Sequence, residues 1–239
     1  MSSPVGFDPQ SAEIKPRPSE PALPEQALSF SALNELFCRI RGQTDFPVWS
    51  PELLRDRRKP VRPVTAATAT PASVLIPLVG HQSLDVVLTT RTVGLSSHAG
   101  QISFPGGRAE PEDASCAATA LREAEEEIGL PPSAVTVLGQ LPDYLTATGY
   151  RVTPVIGHIT VTPQYQPEER EVADIFHVPL SFLMNPDNHQ IRVIPADRSQ
   201  TGEQIQFYAM PYQGFFIWGA TAAMLRNLYH LLYAAWRQN

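Results

Sequence analysis

Two apolar runs, Val74-Leu75-Ile76-Pro77-Leu78-Val79 and Leu84-Asp85-Val86-Val87-Leu88-Thr89, flank a short glycine-containing turn. Runs of this length, rich in β-branched residues, predict two strands of a hairpin. Gln101 to Phe104 is a short strand candidate, and further strands are predicted at Val135–Leu141, Val152–Val161, Ile175–Val178, Ile191–Ile194 and Ile205–Met210. Helical periodicity marks three other stretches. Leu33, Leu36, Phe37 and Ile40 recur at helical spacing, with Ser31 or Asn34 as a cap. Ala117, Leu121, Ala124 and Ile128 form one apolar stripe over a helix of about residues 114 to 128. Asp113 or Ser115 can cap its start, Gly129 suits the left-handed position after its last turn, and Pro131-Pro132 forbids continuation. The last helix is predicted from Phe216 to Trp236. No fixed-period repeat is present.

This alternation of strands and helices predicts one mixed α/β domain over residues 73 to 239. Residues 28 to 72 read as a short helix followed by an irregular Arg- and Pro-rich extension. Residues 1 to 27 combine Pro, Ser, Glu and Gln with few large apolar residues, which predicts a flexible arm. The 24 prolines are unevenly spread, and 11 of them fall within these first 72 residues.

Charge narrows the function classes. The net charge is −6, and an acidic surface gives no electrostatic footprint for nucleic acid. An anionic substrate must therefore be met by local cations or a metal. Cys38 and Cys116 lack metal-type spacing and read as free thiols of a reducing compartment. With no spanning apolar run and no secretory start, a cytoplasmic protein without a membrane partner is expected.

Glu123, Glu126 and Glu127 project from one side of the central helix, at i, i+3 and i+4. Three like charges this close repel, and they stand near a helix C-terminus, where the dipole disfavours anions. Arg122 offsets part of this through its i+4 neighbour Glu126. A solvated charged face is the bland reading. A hard divalent cation with oxygen ligands is the chemical one, since Mg²⁺ commonly joins a few carboxylates to substrate phosphates.

Gly107, Arg122-Glu123-Ala124, Glu126-Glu127 and Gly129-Leu130 together resemble the Nudix box, the loop–helix–loop signature of Nudix hydrolases. The resemblance implies an α/β/α sandwich with a mixed sheet and hydrolysis of a nucleoside diphosphate linked to another group. It also implies Mg²⁺ or Mn²⁺ held by Glu123, Glu126 and Glu127, with the Gly107 carbonyl as a further ligand and Arg122 in the catalytic set. One departure stands out: Asp113 replaces the usual Glu, and its spacing to Arg122 is one residue longer than in the usual box.

A second block, Thr89-Thr90-Arg91 followed by Leu95-Ser-Ser-His98-Ala-Gly100-Gln101 and Phe104-Pro105-Gly106-Gly107, resembles the coenzyme A pyrophosphatase branch of that family. Ile217-Trp218-Gly219-Ala220-Thr221-Ala222 is similar to that branch too. The resemblance implies cleavage of coenzyme A, or its thioesters, to 3′,5′-ADP and 4′-phosphopantetheine or its acyl form. Arg91, His98 and Gln101 are the implied substrate contacts. On residue types alone, Arg91 and His98 either meet the 3′-phosphate or diphosphate, or Arg91 pairs with a carboxylate while His98 braces its loop. The general base is Glu123 or Glu127, or one of Glu168, Glu169 and Glu171 outside the helix. Two alternatives remain: a diphosphatase for a nucleotide sugar or dinucleotide, and a catalytically silent nucleotide-binding module. The apolar C-terminal helix either packs on the sheet or makes a homodimer contact.

Overall fold

A computed structural model describes residues 8–17, 19–40, 65–92, 100–160, 164–198 and 204–237. The elements in chain order are β1 (Glu13–Lys15), α1 (Phe30–Ile40), β2 (Thr70–Gly80), β3 (Leu84–Arg91), β4 (Ile102–Ser103), β5 (Gly106–Arg108) and α2 (Cys116–Ile128). They continue with β6 (Val135–Gln140), β7 (Tyr144–Leu145), β8 (Tyr150–Ile159), β9 (Val172–Pro179), α3 (Leu180–Leu183), β10 (Gln190–Ile194), β11 (Ile205–Tyr212), β12 (Phe215–Trp218) and α4 (Gly219–Arg237).

The apolar runs that predict a hairpin form one, with β2 and β3 antiparallel. β2 also runs parallel to β8 from Thr70–Tyr150 to Val79–Ile159, making a mixed central sheet. Both strands are apolar on both faces because both faces are covered. Leu75, Val155 and Ile159 pack with Ala120, Ala124 and Ile128 of α2 on one side. Ile76, Leu78, Val152 and Ile156 pack on the other with residues of α1 and α4. The result is the expected α/β/α sandwich.

One edge of β2 is shared. β3 pairs only with its C-terminal end, Leu78 to Gly80, and β5 takes its N-terminal end, Ala72 to Val74. β4 pairs with β3 instead. The sheet therefore forks between β3–β4 and β5.

A smaller antiparallel sheet, β1-β10-β11-β12, leads into α4. Here two expectations are corrected. Phe216 to Trp218 belongs to β12 rather than to the last helix; Gly219, at φ 66°, turns the chain and α4 follows. The described part of residues 1 to 27 is packed, not a free arm. Glu13–Lys15 completes a ladder with Ile191–Val193, Leu23 is buried, and Tyr229 Oη donates to the Pro21 carbonyl at 2.7 Å. Glu20 pairs with Arg226, a buried residue of α4. Arg226 also donates to His189 Nδ1 at 3.1 Å, which sets His189 Nε2–H as the donor to the Leu183 carbonyl at 2.6 Å. A three-residue ladder and one half-buried ion pair hold a segment whose composition alone reads as unstructured. No helix among the described residues is long and apolar enough to cross a membrane.

Candidate active site

The fork in the sheet opens into a cavity of about 520 Å³. Its walls come from both prongs, from α2, and from the turn into α4. Each contributing element arrives for a local reason.

Ser115 caps α2 by accepting from the Ala118 N–H at 3.1 Å, and Gly129 ends the helix at φ 66°. These limits place Glu123 and Glu127 on the face beside β5. Gly107 lets β5 approach Glu123 closely: a Cβ there would lie 2.5 Å from the Glu123 carboxylate. Glu127, only 4% exposed, accepts the Gly106 N–H at 3.2 Å and faces Arg91 Nη1 at 3.6 Å. Burial pushes its carboxyl up to about 7, against the pull of the Gly106 N–H and Arg91, with Glu123 and Glu171 adding repulsion. Burial likewise raises Glu123, countered by Arg122 and reinforced by Glu126 and Glu171.

Arg122 organises the helix face without lining the cavity. It donates to Asp113 from Nε at 3.1 Å and from Nη2 at 3.2 Å, to Glu123 at 3.0 Å, to Glu126 at 3.0 Å, and to the Arg108 carbonyl at 3.0 Å. The hydrogen bonds from Arg122 hold the Asp113 carboxyl down at about 2. Asp113 is therefore a brace for Arg122, which the longer spacing in the sequence had obscured.

The predicted residues separate in space. Arg91, Gln101, Gly107, Glu123 and Glu127 all line the cavity. Glu126 does not; its carboxylate is 61% exposed and engages Arg122. His98 lies outside the described residues. Of the loop glutamates, Glu171 lines the cavity and faces Arg91 Nη2 at 4.0 Å. Glu168 N donates to the Glu127 carbonyl and Thr92 N to the Glu171 carbonyl, both at 2.9 Å, so this loop is docked onto the end of α2 and onto β3. Arg91 thus stands between two carboxylates, and pairing with them is what the structure records.

Trp218 lines the cavity too, while sequence reasoning missed other wall residues: Arg108, Tyr150, Thr146, Thr148 and Met224. The motif at Ile217–Ala222 pointed toward Trp218, and Thr221 Oγ1 fastens that turn by donating to the Ile102 carbonyl at 3.0 Å. Nothing local marked Tyr150, which arrives through β-sheet register, or the threonines, which sit in the turn between β7 and β8.

The donor set suits a divalent cation. Among the described residues no three metal-ligating side chains already converge. Two desolvated carboxylates, with the Gly107 backbone pressed close to Glu123, nevertheless fit a divalent cation that would be completed by water and substrate phosphates. A buried carboxylate held near pH 7 is stabilised by just such a charge.

Comparison with known proteins gives concordant matches. A family model described as NUDIX domain matches residues 69–203, more than half of the chain. The chain is 43% identical over 157 residues to the "Uncharacterized Nudix hydrolase NudL" of Escherichia coli (strain K12), spanning 66% of this chain and 80% of that protein. The protein of the same name from Shigella boydii serotype 4 (strain Sb227) is 44% identical over 157 residues, with the same coverage. Among solved structures, the Nudix hydrolase RenU from M. smegmatis is 20% identical, with a TM-score of 0.46, covering 70% of this chain and 87% of that one.

Proposed function

The chain belongs to the Nudix family, and from that premise we propose that it hydrolyses the diphosphate linkage of coenzyme A or its thioesters. The products are 3′,5′-ADP and 4′-phosphopantetheine or its acyl form. Nudix hydrolase activity follows from membership; the substrate is our reading. It is supported by the Thr89-to-Gly107 block, whose described residues Arg91, Gln101 and Gly107 share the cavity with Glu123 and Glu127. That convergence is the observation on which the reading rests.

The metal ligands in this proposal are Glu123, Glu127 and the Gly107 carbonyl, with Glu126 joining if it leaves Arg122. A divalent cation, Mg²⁺ or Mn²⁺, supplies positive charge against the diphosphate and acidifies water at the site. Arg122 keeps Glu123 oriented, and Arg91 adds a fixed positive charge beside the diphosphate. Glu171, on the loop docked against the end of α2, takes the proton from the attacking water. Trp218 and Met224 offer an apolar wall to the uncharged parts of the substrate. The cytoplasmic assignment and a homodimer contact remain part of this proposal.

The test is a kcat/KM panel with Mg²⁺ and with Mn²⁺, comparing coenzyme A, acetyl-coenzyme A, a nucleotide sugar and a dinucleotide. Coenzyme A or its thioester is expected to lead. A nucleotide sugar or dinucleotide in first place would replace the substrate, and binding without turnover on any of them would favour the silent module.

A further inference from the structure

We propose that Arg108, braced by Tyr150, anchors a second anionic group of the substrate, separate from the diphosphate that is cleaved. For coenzyme A that group is the 3′-phosphate. The identity of the group rests on the coenzyme A reading; the anion subsite itself rests on the geometry alone.

Arg108 follows Gly107 on β5, so strand alternation sends its side chain to the face opposite the one Gly107 turns toward Glu123. It is an exposed residue on the wall of the cavity. Its Nη2 and Nε both donate to Tyr150 Oη, at 2.7 and 3.1 Å, with the guanidinium 5.5 Å from the ring centroid. Its backbone is fixed too, since its carbonyl accepts from Arg122.

The decisive feature is charge. Arg91, Arg122, Arg151, Arg17 and Arg226 each face a carboxylate. Among the described residues, no carboxylate within 4.0 Å pairs with Arg108, whose polar partner is the neutral phenol. Tyr150 Oη acts as the acceptor from Arg108, so its own proton remains to donate to an anion. Thr146 and Thr148, with hydroxyls 3.0 Å apart, line the same cavity. An acidic protein that holds an uncompensated, pre-oriented guanidinium in its substrate cavity has built a phosphate site. Arg91, beside the carboxylates of Glu127 and Glu171, is left to the diphosphate.

The test is direct binding of 3′,5′-ADP and 5′-AMP, measured by calorimetry on the parent and on Arg108→Gln, Arg108→Lys and Arg91→Gln. The parent should bind 3′,5′-ADP about ten- to hundredfold more tightly than 5′-AMP, the scale of one charge-assisted contact. Arg108→Gln should bring that ratio toward one. Arg108→Lys should keep part of it, and added salt should shrink it in the parent. No preference in the parent, no binding of either nucleotide, or a preference that survives Arg108→Gln and vanishes in Arg91→Gln would overturn the assignment. If the preference behaves as expected but coenzyme A is not cleaved, the subsite stands and the substrate proposal falls.

Discussion

Replacing Glu127 by Gln separates what this carboxylate does for function from what it does to stability. The residue is 4% exposed and its carboxyl is pushed from 4.5 to about 7, chiefly by burial. At about 1.4 kcal/mol per pKa unit, that shift disfavours the ionised folded state by about 3 kcal/mol. Below pH 4.5 the group is protonated in both folded and unfolded chains, so it contributes no difference. As pH rises from 4.5 to about 7 the unfolded chain ionises first, and folding stability declines; above 7 the full loss is in place. Gln keeps the shape, leaves an oxygen for the Gly106 N–H, and carries no charge. In EDTA, urea unfolding should therefore show Glu127→Gln gaining on the parent, from nearly equal at pH 4.5 to about 3 kcal/mol more stable at pH 8. Saturating Mg²⁺ should stabilise the parent, by about 2.7 kcal/mol at a hundred times its dissociation constant, and the variant far less. A difference that is flat with pH, or a variant less stable at pH 8, would refute the view that Glu127 is a charge held in reserve for a cation.

Other substitutions probe the remaining parts of the site. Gly107→Ala puts a methyl against the Glu123 carboxylate, which moves as the free end of a side chain. Stability should change by less than about 1 kcal/mol, while turnover falls roughly a hundredfold through misplacement of a ligand; unchanged kcat would disprove the close-approach role. Glu171→Gln should lower kcat by about a hundredfold or more with KM nearly constant, and a full-rate variant would return the base to Glu123 or Glu127. Glu20→Ala leaves the Arg226 guanidinium buried without its carboxylate, at a cost of about 3 kcal/mol in urea unfolding. A loss below about 1 kcal/mol would mean the N-terminal segment is held by its ladder and Leu23 alone.

The sequence was most informative where local chemistry and periodicity agreed. The helix over Cys116–Ile128 is bounded by Ser115 and Gly129; of its predicted stripe Ala124 and Ile128 are buried, Ala117 and Leu121 are partly buried, and Ala120, outside the stripe, is buried with them. The hairpin strands were legible because burial on both faces leaves near-continuous apolar runs. Local reading failed where non-local contacts decide. Phe216-Ile217-Trp218 reads equally as strand or helix, and only its pairing with Ala209 to Pro211 makes it β12. Glu13-Ile14-Lys15 has no strand signature and owes its conformation to the facing β10. Of three glutamates in one loop, Glu171 is brought to the cavity by hydrogen bonds from Glu168 N to the Glu127 carbonyl and from Thr92 N to the Glu171 carbonyl. Arg108 was visible only as the residue after Gly-Gly. Its significance depends on Tyr150, which lies far along the chain and reaches it across β2 through sheet register.

The most direct measurement is identification of the products formed from coenzyme A by the parent and by Glu127→Gln in the presence of Mg²⁺. The parent is expected to release 3′,5′-ADP and 4′-phosphopantetheine in equal amounts, with EDTA abolishing both. The variant is expected to release at least about a hundredfold less, since a charge that stabilises the transition state is removed. Intact coenzyme A after prolonged incubation with Mg²⁺ and with Mn²⁺ would contradict the substrate assignment, and undiminished cleavage by Glu127→Gln would contradict the site.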